Sequence, residues 1–231
     1  MRIEGSVALI TGANRGLGLA FARALLDAGA AKVYAAAREP SSVSVGTPLK
    51  LDITDRASVA HAARRAGDVN LLVNNAAVLN ARPFLAADAE EAVRAALETN
   101  LFGTLAMSRA FAPVLAANGG GALVNMLSVL SWFNLPQVGA YGASKAAAWA
   151  LTNGLRNELR AQGTLVVGVH AAFIDTDMAA FANGPKSRPE AVAAQVLVAI
   201  EEGREEVLAD EVTRNVKRGL SAEPASYVRA A

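Results

Sequence analysis

Ser128, Tyr141 and Lys145 are the residues of this chain whose types and spacing best suit chemistry. Between Arg109 and Arg156 lie 46 residues with one charge, Lys145, in the string YGASK that begins at Tyr141. Segments so poor in charge belong to the core, where a charge is rarely left without a partner. On a helix, positions four apart share a face, so Lys145 stands beside the Tyr141 phenol. A cation within a few Å of a phenol favours phenolate, lowering a pKa of about 10 at about 1.4 kcal/mol per unit. The expected result is a phenol tuned toward neutral pH that can give or take a proton. Ser128, thirteen residues before Tyr141, ends an apolar strand pattern. Its hydroxyl can donate to the same substrate oxygen. Ser131 and Ser144 are the competing serines, and Ser128 is preferred because it closes the strand.

These residues need elements to position them. Apolar runs at Ser6–Ile10, Lys32–Ala37, Pro48–Leu51, Val69–Val73, Ala122–Leu127, Leu165–His170 and Glu206–Leu208 read as strands. Between them, Leu17–Ala28, Ala57–Ala66, Glu90–Ala117 (in one or two pieces, with Pro113 inside), Ala140–Ala161 and Pro189–Glu202 read as helices, and another helix follows near the C-terminus. Strands that are apolar throughout and alternate with helices predict an α/β fold, a doubly wound parallel sheet of about seven strands covered by helices on both faces. Ligands then bind at the carboxyl ends of the strands. There is no linker, repeat or low-complexity tract, and 231 residues suit one domain spanning 1–231.

The first strand runs into TGANRGLG, residues 11–18. Glycines at 12, 16 and 18 permit a tight strand-to-helix turn and let a pyrophosphate approach backbone N–H groups at the helix N-terminus. The second strand ends in Arg38, where a site selective for NAD would carry a carboxylate for the ribose 2′-hydroxyl. Arg38 and Arg15 could instead clamp a 2′-phosphate, which predicts NADP(H) in preference to NAD(H). Each arginine alone would read equally well as a solvated surface residue.

With TGANRGLG, NNAA at 74–77, Asn100 in ETNLFG, Ser128 and YGASK in this order, the chain resembles the short-chain dehydrogenases/reductases over residues 5 to about 178. The resemblance implies a Rossmann-type fold. It places Gly12, Asn14, Arg15, Gly16, Leu17 and Gly18 around the pyrophosphate end of NADP(H). It also implies Asp52 and Ile53 at the adenine, Asn74 and Ala76 at the central strand end, and Thr176 at the carboxamide. Asn100, Ser128, Tyr141 and Lys145 match the family's catalytic tetrad, Lys145 also holding the nicotinamide ribose and Asn100 ordering a water that links Lys145 to solvent. The implied reaction is reversible hydride transfer between nicotinamide and a carbonyl carbon, with Tyr141 as general acid/base. Three positions depart from the family pattern: Ala77 replaces a glycine, Ala171-Ala172 replaces Pro-Gly, and the C-terminus lacks a glycine-rich ending.

Trp132, Phe133, Leu135, Val138, Phe173, Met178 and Phe181 cluster in sequence near these groups. Loops around 128–140 and 173–188 would thus line a pocket for an apolar or aromatic ketone or aldehyde. Ordinary core packing competes with that reading, on equal terms for Phe173. Two alternatives to a reductase are an NADP(H)-binding sensor or scaffold that keeps the fold without catalysis, and a non-redox lyase.

Composition narrows the field further. The chain has no cysteine and two histidines, which excludes disulfides, thiolate chemistry and a histidine metal site, and suits a reducing cytoplasm. His61 reads as surface and His170 as packed. A net charge of +1 without a basic stripe argues against nucleic acid, and no apolar run is long enough for a membrane span. The N-terminus enters a strand directly, with no room for a signal peptide. Helices around 99–117 and 140–161 lack a charged face, which points to burial against a second copy. The resemblance implies a homodimer, with a tetramer possible.

Overall fold

A computed structural model of the chain describes residues 1–228; the last three residues of the domain expected over 1–231 lie outside the described residues. Seven strands form one sheet: β1 (Val7–Thr11), β2 (Lys32–Ala37), β3 (Thr47–Lys50), β4 (Leu71–Asn74), β5 (Ala122–Met126), β6 (Leu165–His170) and β7 (Glu206–Leu208). The order is β3-β2-β1-β4-β5-β6-β7, with every neighbouring pair parallel. This is the doubly wound, Rossmann-type architecture expected from the sequence. The order reverses between β1 and β4, and the crevice there opens at the strands' carboxyl ends.

Seven helices cover the sheet: α1 (Gly16–Asp27), α2 (Arg56–Arg65), α3 (Ala89–Leu97), α4 (Thr104–Ala117), α5 (Gly139–Leu159), α6 (Pro189–Glu201) and α7 (Glu211–Gly219). Strands buried on two faces need apolar side chains on both, hence VALIT and LVVGVH without alternation. On one face Phe21 and Leu25 of α1 meet Val192, Val196 and Ile200 of α6. On the other, Val59, Met107, Phe111, Leu115, Leu155 and Leu159 from α2, α4 and α5 form a second core.

Differences from the sequence reading are local. Thr11 joins β1 because it pairs with Ala36. Pro48 sits within β3, which is tolerated because β3 is the sheet edge and misses no ladder donor on its open side. The long helical stretch from Glu90 is continuous in direction but wound as π-helix from Glu98 to Gly103, between α3 and α4. Such π segments mark functional sites, and Asn100 lies within this one.

Candidate active site

The carboxyl ends of several strands contribute to one crevice. After β1, Gly12 (φ +67) and Gly16 (φ +52) adopt left-handed conformations that favour glycine. Gly18 has an ordinary helical φ, but a Cβ there would lie 2.1 Å from the Gly12 carbonyl oxygen and 2.7 Å from Asn75 Nδ2. The helix it opens, α1, has no side-chain cap on its exposed N–H groups. Free N–H donors, a positive helix end and a backbone stripped of Cβ atoms fit the pyrophosphate of a dinucleotide.

Asn75 holds this turn. Its Nδ2 donates to the Thr11 and Gly12 carbonyls at 2.9 and 3.2 Å. The Thr11 hydroxyl in return accepts from the Asn75 and Ala76 amides, both at 2.9 Å. Neither Thr11 nor Asn75 stands out in the sequence, although both lie inside the quoted motifs. Asn74 supports the strand end but turns inward. It is buried, and its Nδ2 donates to Asn125 at 2.9 Å and Ser108 at 3.3 Å. Asn74 thus braces the central strand end from within, and the side chain of this strand end that meets the glycine turn is Asn75. Asn125 passes the chain on to the Thr152 hydroxyl at 3.0 Å, tying α4, β4, β5 and α5 beneath the site.

At the far end, Asp52 accepts from the Thr54 amide and hydroxyl at 2.9 and 2.7 Å. The Thr54 bonds, and then the Arg38 charge, hold the Asp52 carboxyl below its ordinary pKa. Arg38 is exposed at the end of β2, and Ile53 is buried with its side chain packed where Gly103 leaves space. Asn14 is half-buried and Leu17 buried. Arg15, in extended conformation at the head of α1, pairs with Asp177 at 2.9 Å, both side chains largely exposed. Thr176 lies over the turn, its Cγ2 3.1 Å from where a Cβ on Gly16 would be.

Ser128, Tyr141, Lys145 and Asn100 come together at the ends of β5 and α5 and in the π segment. Ser128 and Lys145 are buried, and Tyr141 is half-buried. Lys145 Nζ lies 5.7 Å from the Tyr141 ring centre but donates to the Met126 carbonyl at 2.7 Å. The phenol does not show the lowered pKa expected from the sequence. Burial pushes it up to about 12, opposed only by its hydrogen bond with Ser128. Burial likewise pushes Lys145 down to about 8. The reason is that desolvation penalises each charged form, and the ammonium is directed at a carbonyl rather than at the phenol oxygen. Tyr141 is thus held as a protonated acid.

The Asn100 side chain exchanges hydrogen bonds with the Val78 backbone at 2.9 and 3.0 Å and donates to Ser144 Oγ at 2.9 Å. Ser144 in turn donates to the Tyr141 carbonyl at 2.7 Å. Asn100 therefore reaches the Tyr141 backbone through Ser144, a serine the sequence reading ranks below Ser128. Ser131 also has a part: its Oγ accepts from the Ser128 amide at 3.3 Å, forming a capping box over a short 3-10 turn.

The buried lysine makes a prediction. In the cofactor-free protein Lys145 has a folded pKa of about 8 against an ordinary 10.5. Below pH 8 both states are protonated and the folded state bears the full penalty. Between the two values the folded state releases its proton first, so stability gains as pH rises. Relative to Lys145→Met, the wild-type melting temperature should climb from pH 8 to pH 10.5. A pH-independent difference would disprove this.

The residues expected to line the substrate pocket separate. Phe173 and Met178 are exposed on the loop after β6, and Phe173 meets Phe181 edge-to-face at 6.0 Å. Phe133 and Leu135 are half-buried, and Val138 is buried just ahead of α5. Trp132 is a correction: it turns away to stack on His170, ring centres 4.0 Å apart, and is buried there. Phe84 escapes the sequence reading. Its ring lies 2.9 Å from where a Cβ on Gly139 would be, against the start of α5, and half of it is exposed. A lone aromatic in RPFLAAD gives no periodic signal.

A glycine turn at the switch point, with a buried serine and lysine and a half-buried tyrosine at the same sheet edge, defines a dinucleotide-binding oxidoreductase of the doubly wound class. The short chain dehydrogenase family model matches residues 6–186. A sorbitol dehydrogenase of Cereibacter sphaeroides is 34% identical over 206 residues, covering 80% of this chain and 80% of that protein. A solved short chain dehydrogenase of Burkholderia cenocepacia J2315, in complex with NADP, superposes with TM-score 0.93 at 43% identity, covering 97% of this chain and 96% of that one. A short chain dehydrogenase/reductase of Burkholderia phymatum, in complex with NAD, gives TM-score 0.83 at 26% identity over 95% and 94%. The chain belongs to the short chain dehydrogenase family. Among the described residues no helix is long and apolar enough to cross a membrane, and no cluster of three metal-ligating side chains occurs.

Proposed function

We propose that the protein reduces a ketone or aldehyde at the expense of NADPH, reversibly, with Tyr141 as the proton donor. The observation that carries this reading is the constellation at the carboxyl ends of the strands: buried Ser128 and Lys145 with Tyr141, Lys145 Nζ 5.7 Å from the Tyr141 ring, on the sheet edge that also carries the glycine turn. When bound, the nicotinamide supplies the hydride. The chain's residues do the rest. Ser128 holds the carbonyl oxygen, and Tyr141 gives its proton to the alkoxide that develops there. Lys145, released from Met126, would hold the ribose hydroxyls and offset the charge left on Tyr141. Asn100 and Ser144 fix the Tyr141 backbone, so the acid is placed before substrate arrives. The loops 128–140 and 173–188, with Phe84, form the pocket, whose exposed aromatic rings suit an apolar or aromatic carbonyl compound.

Following NADPH absorbance against a panel of ketones, aldehydes and quinones, with NADH in parallel, tests the reading. Consumption of neither cofactor across the panel would overturn it in favour of the sensor. The preference for NADP(H) rests on Arg15 and Arg38. The Arg15–Asp177 pair is solvent-exposed, and pairs of that kind are worth about 0–1 kcal/mol, so a 2′-phosphate can displace it. Arg15→Ala combined with Arg38→Ala should raise KM for NADPH about tenfold or more, the loss of two charge-assisted bonds, and leave KM for NADH nearly unchanged. An unaltered KM for NADPH would sink the assignment. The outer faces of α4 and α5, with Phe102 exposed beside them, are the proposed dimer surface.

A further inference from the structure

Behind Ser128 lies a buried group that the reaction described above does not use. His170, at the end of β6, is fully buried. Its Nδ1 is 3.0 Å from the Ser128 carbonyl oxygen. A carbonyl only accepts, so Nδ1 must carry the proton. Nε2 is then a bare lone pair, and it has no hydrogen-bond partner. The nearest charged atom to it, Glu206 Oε1, is 3.8 Å away, too far for a hydrogen bond. A buried polar ring left half-satisfied is costly, so its one bond should matter.

What that bond fixes is the seat of the Ser128 hydroxyl. Ser128 begins the 3-10 turn Val129–Ser131. Its carbonyl takes the Ser131 amide at 3.0 Å and the His170 ring, filling both lone pairs. Its Oγ accepts from the Leu130 amide at 3.1 Å. The Ser131 and Leu130 bonds are local and move with the turn. The turn is tied to β6 and its end by the Leu127 amide on the Val169 carbonyl at 2.8 Å, the Val129 amide on the Ala171 carbonyl at 2.9 Å and the Ser128 hydroxyl on the Ala171 carbonyl at 3.5 Å, and the His170 bond is the one that fixes the Ser128 carbonyl itself. Trp132, at the end of the same turn, stacks on the ring at 4.0 Å. Lys217 of α7 lies 5.0 Å over the Trp132 ring and pairs with Glu206 of β7 at 2.8 Å. The Asp210 carboxylate that caps α7 also accepts from the Ala172 amide at 2.7 Å, two residues past His170. The C-terminal segment thus grips His170 and its surroundings from one side while Ser128 sits on the other.

We infer that His170, as its Nδ1–H tautomer, is a positioning residue for Ser128, held between Trp132 of the Ser128 turn and Glu206 and Lys217 of the C-terminal segment. The ring is neutral in this setting: burial pushes its pKa to about 4, against the pull of Glu206, with Lys217 and Arg156 pressing the same way as burial. The inference rests on the reductase reading only where turnover is the readout.

The test compares His170→Leu, which removes the donor, with His170→Asn, whose side-chain N–H falls where Nδ1 lies. With two histidines in the chain, nitrogen NMR of the wild type and His170→Leu assigns the ring directly. The expected spectrum at pH 7 shows a neutral His170 protonated on Nδ1; a proton on Nε2 alone, or an imidazolium, overturns the inference. Amide exchange of Leu130 reads the Ser128 hydroxyl without any substrate. Its protection should fall about tenfold in His170→Leu, the loss of one hydrogen bond, and return in His170→Asn. In turnover, kcat should fall about tenfold or more in the leucine variant and recover in the asparagine variant, with the Kd for NADPH unchanged in both. Equal behaviour of the two variants, or unchanged Leu130 protection in His170→Leu, overturns it. If the leucine variant does not fold, His170→Gln takes its place, since its amide reaches the Nε2 position and not Nδ1. Should the wild type reduce no carbonyl compound, the reductase reading fails while the NMR and exchange results still decide the role of His170.

Discussion

Tyr141→Phe should lower kcat by about a thousandfold, in the middle of the range for loss of a general acid, while NADPH binds as before. The substitution removes one oxygen and leaves the ring. The backbone of Tyr141 stays anchored through Ser144 and Asn100, so the fold around it is retained. Ser128 remains to hold the carbonyl oxygen, but it has no base behind it and cannot replace a proton donor. Lys145 cannot substitute either, since its ammonium lies 5.7 Å from the ring and in the complex is engaged with the ribose hydroxyls. Steady-state rates with a carbonyl substrate, beside a fluorescence titration with NADPH, separate the two effects. Turnover within tenfold of wild type would remove Tyr141 from the mechanism. The high phenol pKa adds a separate test on the cofactor-free protein: an ultraviolet titration of wild type against Tyr141→Phe should show no ionisation of Tyr141 between pH 6 and 9, because burial pushes it up to about 12.

Gly18→Ala should abolish cofactor binding and destabilise the fold, although helix propensity alone favours alanine by about 1 kcal/mol. The φ at Gly18 is not in the left-handed region, so the backbone would accept alanine. Space forbids it. The new Cβ would lie 2.1 Å from the Gly12 carbonyl oxygen and 2.7 Å from Asn75 Nδ2. The first obstacle is backbone and cannot rotate away. The second is the amide that ties β4 to the turn. Either the α1 N-terminus moves off the sheet or Asn75 leaves the Thr11 and Gly12 carbonyls, and both outcomes break the cradle. Overpacking of this kind costs about 1–3 kcal/mol, so the expected result is a melting temperature several degrees lower with NADPH affinity reduced at least a hundredfold. A Gly18→Ala variant that melts higher than wild type and still binds NADPH would show that the close approach of α1 to β1 is not required.

Part of the site is legible because local spacing fixes it. The i to i+4 relation of Tyr141 and Lys145 survives in any helix, and a glycine-rich turn after an apolar strand has few ways to fold. Ser128 at a strand end is likewise safe. What cannot be read is direction and burial. A cation one turn away predicts a lowered phenol pKa; the pKa rises because desolvation dominates and the ammonium finds Met126. Trp132 looks like pocket from its neighbours in sequence, yet one rotation of its side chain sends it to His170. Asn74 and Asn75 are adjacent and chemically identical, and only the pleat of β4 decides which turns into the sheet and which reaches the glycine turn.

The sequence by itself determined the class of architecture and the glycine turn, because these depend on periodicity and on contacts within a few residues. The tertiary structure alone decided how the acid is held protonated, which asparagine braces the turn, and what stands behind Ser128. Those are properties of groups 40 or more residues apart, such as His170 and Ser128 or Asn100 and Ser144. They are set when strands that are distant in the chain become neighbours in the sheet and water is driven from between them, and neither event leaves a local mark in the order of the residues.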